Sequence, residues 1–336
     1  MPDDVSVVVP VWNGRALVER LIRSLRAQTY PVAEIVVVDN GSQDGAPEAA
    51  EALGARVVRM GTNAGFSRAV NRGIQECSGT WLALLNSDVE LAPTWLERLM
   101  GAVKSSGYWF ASGKILRAAD HRLIDGTYDT LCRGGCAWRV GSGRADGAAF
   151  AKSRDISFAP GTASLFRTEL FRLVGALDES FESYLEDVEF GLRCACLNYR
   201  GRYVPEAVAY HVGSAMLGKW HPSTVRKIAR NQVFLVAKYY PARLFFRLLW
   251  PIVVAQTLWG LVAMRHGALF AFLRGKLEGL RGFPTARRNA TALQAAPNRL
   301  LQILQESEHE IRDMQRLTGF DLYWRLYFAL TRGEAD

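Results

Sequence analysis

The sequence predicts an α/β protein, with a doubly wound parallel sheet in the N-terminal part of the chain and helices in the C-terminal part. Short runs of β-branched residues alternate with segments of helical periodicity between residues 5 and 60, which is the βαβαβ order of a parallel sheet. A mostly apolar run at 80–85 then suits a strand buried on both faces. The 336 residues, 49% of them hydrophobic and 22% charged, can bury at least one large core and a smaller second unit.

The first elements follow one another as the local pattern changes. Residues 5–9 are β-branched apart from one serine and end at Pro10, which predicts a strand followed by a turn. Leucines then recur at helical spacing until Tyr30-Pro31 ends that helix. The same signals predict strands at 34–38 and 56–60, and helices over 46–53, over 93–104 and over the stretch that carries Phe66, Val70, Ile74 and Cys77.

The second half of this region is less regular. Residues 117–154 are rich in Gly, Asp and Arg, which favours loops and short strands that serve as binding loops or a lid. Beyond them the patterns predict strands at 156–158, 164–167 and 202–210. They also predict a helix within 183–193 with Leu185, Val188 and Leu192 facing inward and Glu189 paired with Arg193.

Polar side chains stand directly after the predicted strands, where open parallel sheets bind ligands. Asn86-Ser87-Asp88 follows the strand at 80–85, so Asp88 would lie at the mouth of a site and could hold a hard cation beside a diphosphate. Asp39 could accept hydrogen bonds from a ribose or a base. Both stretches are also ordinary turns. No GxGxxG follows the first strand, so a dinucleotide dehydrogenase loses its best support.

Other candidates have a structural alternative of their own. Arg68 could meet a diphosphate with its guanidinium or be solvated. Glu186 and Asp187 stand near a helix start, where the helix dipole stabilises carboxylates in any protein. His211 ends a predicted strand, and a single His at such a place is commonly structural.

The positive charge is concentrated in one segment. Residues 217–289 hold 13 of the 41 basic residues and one of the 33 acids, so a partner with negative charge is expected there. The five cysteines form no CxxC pair and lack His partners at zinc-site spacing, which favours buried or incidental thiols. The first ten residues lack a basic n-region and a long apolar core, so we expect no signal peptide and a reducing cytosol.

Eight short motifs occur in order between residues 5 and 214: Val5-Ser6-Val7-Val8-Val9-Pro10 with Asn13, Val37-Val38-Asp39-Asn40-Gly41-Ser42, Asn63-x-Gly65-Phe66, Asn71-x-Gly73, Asn86-Ser87-Asp88, Leu177-Asp178-Glu179, Glu186-Asp187 and His211. This combination resembles inverting glycosyltransferases of family 2. The resemblance implies a GT-A fold, in which helices flank a Rossmann-like mixed sheet. More narrowly, the chain is similar to bacterial rhamnosyltransferases that act on lipid-linked acceptors, through a looser likeness over 125–161 and in the tail.

The resemblance implies a role for each matching position. Asp88 and His211 would hold Mg²⁺ or Mn²⁺. Asp187 would be the base that takes the acceptor proton, with Glu186 as the alternative, and attack from the face opposite the leaving group would invert the anomeric carbon. The donor site would comprise Pro10, Asn13 and Asp39 at the nucleoside, Arg68 and Asn71 near the diphosphate, and also Asn63, Gly65, Asn86 and Ser87.

The sequence departs from the family pattern at two points. Asn86 stands where an acid would begin the metal motif, so we expect weak metal affinity in the free enzyme. No Gln-x-x-Arg-Trp occurs, which disfavours the processive polysaccharide synthases of the same family and favours a non-processive hexosyltransferase.

Two domains are expected. Residues 1–216 would form the catalytic domain, with a nucleotide-sugar half at 1–105 and an acceptor half at 106–216, and residues 217–336 a basic helical region. The uncharged run at 248–264 is shorter than the roughly 20 residues of a membrane span. We therefore favour helices that lie in the interface of an anionic membrane, with Trp250, Trp259, Phe245 and Phe246 entering it, over a basic subdomain packed on the catalytic one. Helical residues 298–315 and the aromatic run 323–328 would serve packing or homodimer contacts.

The leading hypothesis is a cytoplasmic enzyme, peripheral at the inner face of the cell membrane. It would transfer L-rhamnose from dTDP-rhamnose to a polyprenyl-diphosphate-linked saccharide in bacterial cell-surface polysaccharide synthesis. The alternatives are a transferase for another UDP- or GDP-sugar and a non-catalytic sugar-nucleotide-binding scaffold, against which Asp88 and Asp187 together argue. We expect no nucleic-acid partner, because no recognised binding motif accompanies the basic segment.

Overall fold

The computed structural model describes residues 3–213, 220–290 and 297–331. The chain forms two compact units. We call Met1–Asp129 with Gly141–Ala215 the sheet unit, and Thr130–Val140 with Met216–Asp336 the helical unit. The expected boundary between residues 216 and 217 lies outside the described residues. Residues 130–140, which we expected in the acceptor half, belong to the helical unit.

Strands and helices alternate along the chain. The strands are β1 Val5–Val11, β2 Glu34–Asp39, β3 Arg56–Arg59, β4 Trp81–Leu85, β5 Val89–Leu91, β6 Phe110–Arg117, β7 Asp120–Gly126, β8 Asp129–Leu131, β9 Ala137–Arg139, β10 Arg154–Ile156, β11 Ala163–Arg167 and β12 Gly201–His211. The helices of the sheet unit are α1 Arg15–Arg26, α2 Ala46–Ala52, α3 Phe66–Glu76, α4 Trp95–Ser106, α5 Glu169–Leu173 and α6 Glu186–Cys196. Those of the helical unit are α7 Pro222–Tyr239, α8 Ala242–Arg247, α9 Leu249–Arg265, α10 Leu269–Arg288, α11 Pro297–Thr318 and α12 Leu322–Leu330.

The sheet unit is built on a mixed sheet, which in the described residues has ten strands. Its order is β10-β12-β6-β11-β4-β1-β2-β3, with β5 added to β12 and β7 to β6. β2 pairs in parallel with β1 and β3, as the βαβαβ pattern predicts, and β4 also pairs in parallel with β1. β11 runs antiparallel to both β4 and β6. The fold is therefore the mixed α/β arrangement that the resemblance implied.

Helices cover the two faces of this sheet. On one face, α1 and α4 bury apolar residues such as Leu21, Ile22, Trp95 and Leu99 against the odd-numbered side chains of β1. On the other face, α3 lies so close to the sheet that a Cβ added at Gly73 would be 2.4 Å from Val8 Cγ1. Because β1 pairs in parallel with β2 and β4, the carboxyl ends of these three strands lie at one edge of the sheet.

Strand β6 had no clear signal in the sequence, because Gly113 and Lys114 interrupt its apolar residues. A Cβ at Gly113 would lie 1.9 Å from the carbonyl oxygen of Ala207, so glycine permits the close approach of β12. Lys114 is buried and forms an ion pair with Asp146 at 2.8 Å. Both residues are explained by contacts distant in sequence.

In the helical unit, the turn between β8 and β9 packs against α9, α11 and α12. Cys132 and Cys136 are buried there with residues of α9, α11 and α12. Arg133 forms a buried ion pair with Glu308, Nε to Oε2 at 2.8 Å, and Glu308 also accepts a hydrogen bond from Tyr327. The five cysteines are free thiols, as expected.

The aromatic residues of the tail divide into two groups. Phe246 and Trp250 are 71% and 58% exposed. We expected Trp259 at a membrane interface, but it packs against two core clusters of the helical unit, because its position on α9 faces inward. Phe245 is half-buried. Among the described residues, no helix combines the length and the apolar character that crossing a membrane requires.

Candidate active site

The carboxyl-end edge of the parallel strands gathers the predicted donor residues. Val11 is paired with Asp39 in the β1–β2 ladder, so the turns after the two strands begin side by side. β4 pairs with β1 only as far as Val8, and Pro10 therefore lies in the strand beyond the β4 ladder, where its missing N–H breaks no bond to β4.

The turns after β1 and β2 are held together by hydrogen bonds. The side-chain oxygen of Asn13 accepts a hydrogen bond from the backbone N–H of Gln43 at 2.9 Å. The backbone N–H of Asn13 donates to Ser42 Oγ at 2.8 Å. Asp39 is 5% exposed and accepts from the N–H of Ser42 at 2.8 Å. Asn13 and Asp39 are thus neighbours through Ser42. Their contact with a nucleoside stays a prediction.

Asn40 organises the loop that carries Asn63 and Gly65. Its buried side chain donates to Asn63 Oδ1 at 3.1 Å and to the Gly65 carbonyl at 3.3 Å, and accepts from the N–H of Ala64 at 2.8 Å. Gly65 has a φ of +93°, and a Cβ there would be 3.2 Å from the Glu182 carbonyl oxygen. Asn40 belongs to the motif at residues 37–42, but the sequence alone predicts no role for its side chain.

Arg68 and Asn71, on α3, contact the segment that precedes α6. Asn71 accepts from the N–H of Leu177 and donates to its carbonyl, both at 2.9 Å. Arg68 is 58% exposed at its side chain and pairs with Glu179, Nε to Oε2 at 3.0 Å. Asn71 also donates to Glu179 Oε1 at 3.2 Å, so its amide is held by Leu177 and Glu179, whereas Arg68 lies at the surface. A contact of either residue with a diphosphate stays a prediction.

Asp88 and His211 are brought together by the pairing of β5 with β12. Val89 pairs with His211, and the N–H of Val212 donates to the Asp88 carbonyl at 3.1 Å. Asp88 Oδ1 consequently lies 3.1 Å from His211 Nε2. The other ring nitrogen, Nδ1, lies 2.8 Å from Asp125 Oδ2.

The imidazole of His211 sits between two carboxylates. Burial by itself would lower its pKa, but the hydrogen bonds to Asp125 and Asp88 outweigh that effect and raise the pKa to about 9. We missed Asp125 because it lies in the irregular region. Leu123-Ile124-Asp125 nevertheless repeats the pattern of apolar residues followed by Asp that had marked Asp39 and Asp88.

The donor set beside Asp88 fits a divalent cation. In the described part of the chain no three His, Cys, Asp or Glu side chains cluster as a metal site, and Asp88 and His211 are the two such side chains predicted as ligands. Asn86 Oδ1, two residues away, is a buried oxygen for which the described residues provide no hydrogen-bond partner. A carboxylate, an imidazole and an unsatisfied amide oxygen suit Mn²⁺ or Mg²⁺, whose other positions waters and phosphate oxygens fill. Ser87 lies in the same turn.

The base candidate lies next to this turn. Asp187 Oδ2 accepts from the N–H of Gly161 at 2.9 Å, and the following residue, Thr162, accepts from the N–H of Asn86 at 2.9 Å. One short segment therefore contacts both Asp187 and the Asn86–Asp88 turn. Glu186 is 6% exposed, whereas Asp187 is half-buried and more accessible to a substrate.

The entry into α6 is fixed by strained backbone and by a buried arginine. Tyr184 and Leu185 have φ of 71° and 67°, a conformation that costs roughly 1–3 kcal/mol at a non-glycine residue. Arg193 is 2% exposed and donates to the carbonyls of the segment 174–176. Its expected pair with Glu189 is present at 2.8 Å and is fully buried. These contacts hold the start of α6, and with it Asp187, in one place.

Comparison with known proteins agrees with this geometry. A family model described as Glycosyl transferase family 2 matches residues 6–175. The N-acetylglucosaminyl-diphospho-decaprenol L-rhamnosyltransferase of Mycobacterium tuberculosis is 28% identical over 235 residues, 63% of this chain and 76% of that protein. Glycosyltransferase AglE of Haloferax volcanii is 33% identical over 118 residues, 33% of this chain and 39% of its own.

Two solved structures share the fold at low identity. The GalNAc-T7 structure with UDP, GalNAc and Mn²⁺ has a TM-score of 0.64 and 16% identity, and it covers 92% of this chain, which spans 57% of that chain's length. The mannosyltransferase PcManGT of Pyrobaculum calidifontis, in complex with GDP-Man and Mn²⁺, has a TM-score of 0.52 and 18% identity, with 97% of this chain and 86% of that one covered.

Proposed function

The chain belongs to glycosyl transferase family 2 and has the GT-A fold, and we propose that it transfers a hexose from a nucleotide sugar to a lipid-linked saccharide, non-processively and with inversion. The observation that carries the proposal is the contact of Asp88 with His211 at the strand ends, in a turn that also carries the unsatisfied oxygen of Asn86 and lies one short segment away from Asp187. A scaffold that only binds sugar nucleotides would have no use for the second carboxylate.

The favoured donor is dTDP-rhamnose and the favoured acceptor is a saccharide on a polyprenyl diphosphate. Support comes from the mycobacterial relative, whose name describes rhamnose transfer to a diphospho-decaprenol lipid. Such a lipid fits a role in bacterial cell-surface polysaccharide synthesis. A donor carrying UDP or GDP is the alternative that the experiment below distinguishes.

The nucleotide would lie over the turns after β1 and β2. Asp39 and Asn13 would contact the nucleoside, and Arg68 would reach the diphosphate by exchanging its partner Glu179 for phosphate oxygens. Asn71 contributes indirectly, because it fixes Leu177 and hence the segment that holds Glu179. Asn40 keeps Asn63 and Gly65 in position beside this site.

Asp88 and His211 would hold the divalent cation, which neutralises the charge that develops on the departing diphosphate. Asp125 fixes the imidazole so that Nε2 is directed at Asp88. Because Asn86 replaces an acid, the protein contributes little negative charge to the cation, and the donor's own phosphates would supply the rest.

Asp187 would act as the general base. Its carboxylate takes the proton of the acceptor hydroxyl while that oxygen bonds to the anomeric carbon and the bond to the diphosphate breaks on the opposite face. The hydrogen bond from Gly161 orients the carboxylate, and the buried clamp of Arg193 holds the helix start. Glu186 is the second choice because it is nearly inaccessible.

A polyprenyl acceptor places the reaction at a membrane, so we propose a cytoplasmic enzyme that is peripheral at the inner face of the cell membrane. The basic segment 217–289 supports this location, because cations near an anionic leaflet gain roughly 1 kcal/mol each.

Thermal-shift measurements with dTDP-rhamnose, UDP-sugars and GDP-sugars, each with and without Mn²⁺ or Mg²⁺, test the donor. A ligand that binds only the folded state raises the Tm. We expect the largest rise with dTDP-rhamnose and metal together. A larger rise in Tm with a UDP- or GDP-sugar would identify that sugar nucleotide as the donor instead of dTDP-rhamnose. No rise in Tm with any nucleotide sugar would contradict the proposed transferase function.

A further inference from the structure

Two consecutive helices of the helical unit meet in a corner whose outer side is apolar. α9 ends at Arg265 and α10 begins at Leu269, so the turn between them is short. Within about two helical turns on either side, four large apolar side chains are exposed to half or more of their area: Leu261 (50%), Met264 (50%), Phe270 (86%) and Leu273 (51%). We call these four residues, with Arg265 and Arg274, the α9–α10 corner.

The exposure of this corner follows from tight packing on its inner side. Ala268 and Phe272 are buried in one core cluster of the helical unit. Farther along α10, a Cβ added at Gly275 would lie 2.2 Å from the carbonyl oxygen of Arg226 on α7, so α10 rests directly on the α7 backbone. Because that face of α10 is closed, helical geometry turns Phe270 and its neighbours on the same stripe outward.

The outward side of α10 combines an apolar line with a line of cations. Arg274, Arg281 and Arg288 are exposed and seven residues apart, which aligns them along the helix. The single acid in the sequences of α9 and α10 is Glu278, and it pairs with Arg274 at 3.1 Å. The apolar line beside the cations consists of Phe270, Leu273, Leu277 and Leu280, each 48–86% exposed.

An anionic lipid surface matches both properties. Apolar side chains gain free energy by leaving water for the acyl boundary, while arginines beside them meet lipid phosphates. A second copy of the chain, docked through the same face, would bring one arginine line against another with only Glu278 to oppose it. Charge complementarity therefore selects lipid over a second copy.

We propose that the α9–α10 corner is the part of this protein that enters an anionic membrane interface, with Phe270 as the most deeply placed side chain. Arg281 and Arg288, which lie farther along α10, would contact the lipid headgroups. The inference rests on the proposed function for its membrane location and adds the residues that enter the lipid. It transfers the inserting role from Trp259, which packs against core clusters of the helical unit, and from the half-buried Phe245 to Phe270, Leu273 and Met264.

Vesicle co-sedimentation of the full chain tests this proposal. The vesicles contain phosphatidylglycerol with phosphatidylcholine, or phosphatidylcholine alone. Wild-type protein is expected to prefer the anionic vesicles, and Phe270→Ser with Leu273→Ser is expected to weaken that binding at least tenfold. The matched control, Leu322→Ser with Leu326→Ser, removes two exposed leucines of α12 (65% and 38%) and is expected to bind as wild type does.

Three outcomes would overturn the proposal. These are a wild-type protein that stays in the supernatant at low salt, a Phe270/Leu273 variant that binds normally, and a loss of binding confined to the α12 variant. An oligomer in lipid-free buffer that the Phe270/Leu273 variant dissociates would assign the corner to a second copy instead.

Transfer to a water-soluble acceptor analogue separates this proposal from the function. That activity is expected to be the same in wild type and in the Phe270/Leu273 variant, because neither residue belongs to the sheet unit. If wild type binds vesicles as expected but transfers no sugar from any donor, the proposed function is wrong, whereas the proposal that the α9–α10 corner enters the membrane interface is retained.

Discussion

Asp125 Oδ2 lies 2.8 Å from Nδ1 of His211, the ring nitrogen that does not face Asp88. A hydrogen bond at this position fixes the orientation of the imidazole and the nitrogen that is offered to a cation. In the proposed metal site, Asp125 would therefore partly replace the carboxylate missing from the Asn86-Ser87-Asp88 turn by acting through the histidine.

Asp125→Ala should weaken Mn²⁺ binding in the presence of nucleotide by about 10–100-fold, because the imidazole loses its orienting partner. Free Mn²⁺ can be followed by electron paramagnetic resonance. Asp120→Ala is the matched control, since Asp120 is also on β7 but pairs with the exposed Arg122. Unchanged Mn²⁺ affinity in Asp125→Ala would show that the contact is only structural.

Asp88→Ala should abolish transfer and weaken donor binding chiefly when metal is present, and His211→Ala should do so more mildly. The reason is that, in the proposed function, these two side chains would be the protein ligands of the cation. Isothermal titration of the donor with and without Mn²⁺ measures the effect. If the wild type binds the donor with equal affinity with and without Mn²⁺, donor binding does not depend on a metal ion.

Asp187→Asn should keep donor and metal binding but lower turnover by about 10²–10⁴-fold, because the amide retains the shape of the side chain and its acceptor oxygen for Gly161 but takes up no proton. Single-turnover rates of Asp187→Asn and Glu186→Gln are compared, with Tm values as the control for folding. An inactive Glu186→Gln beside an active Asp187→Asn would exchange the two roles.

Lys276 should make the helical unit more stable as the pH rises above 8. Burial lowers its pKa from 10.5 to about 8, although its amine donates to the Ala229 carbonyl, Gln232 and Gln256. Between these two values the unfolded chain binds more protons than the folded one, so the free energy of unfolding rises with pH by up to about 1.4 kcal/mol per unit.

The comparison with Lys276→Met isolates this effect, because the variant shares every other titrating group. The Tm of the wild type relative to the variant should increase between pH 8 and 10 and stay level below pH 7. A constant difference over the whole range would mean that the folded and unfolded chains bind the same number of protons at Lys276.

Local patterns were sufficient to predict the edge of the sheet. Asp39 and Asp88 each come after a short apolar run, and the parallel pairing of their strands with β1 places both at the same edge of the sheet, as their positions in the sequence predict. The same reasoning extends to His211, which ends β12. The mixed sheet and its flanking helices were predicted from the motifs and their order.

Contacts between distant segments were not predictable in this way. Asp125 lies in a stretch without clear periodicity, and only the fold brings it to His211. Gly113 and Lys114 obscured β6 because their roles, close approach and a buried ion pair, depend on residues of other strands and loops. The same holds for residues 130–140, whose polar and apolar residues pack with helices more than 100 residues later in the chain.

Sugar transfer can be observed directly by incubating the purified chain with dTDP-rhamnose, Mn²⁺ and a short-chain N-acetylglucosaminyl-diphospho-prenol, and following the lipid by mass spectrometry. We expect a mass increase of one deoxyhexose that requires both Mn²⁺ and Asp187, with dTDP released in equal amount and the new linkage inverted relative to the donor. A lipid that stays unmodified while the same protein binds dTDP-rhamnose tightly would contradict the proposed transfer.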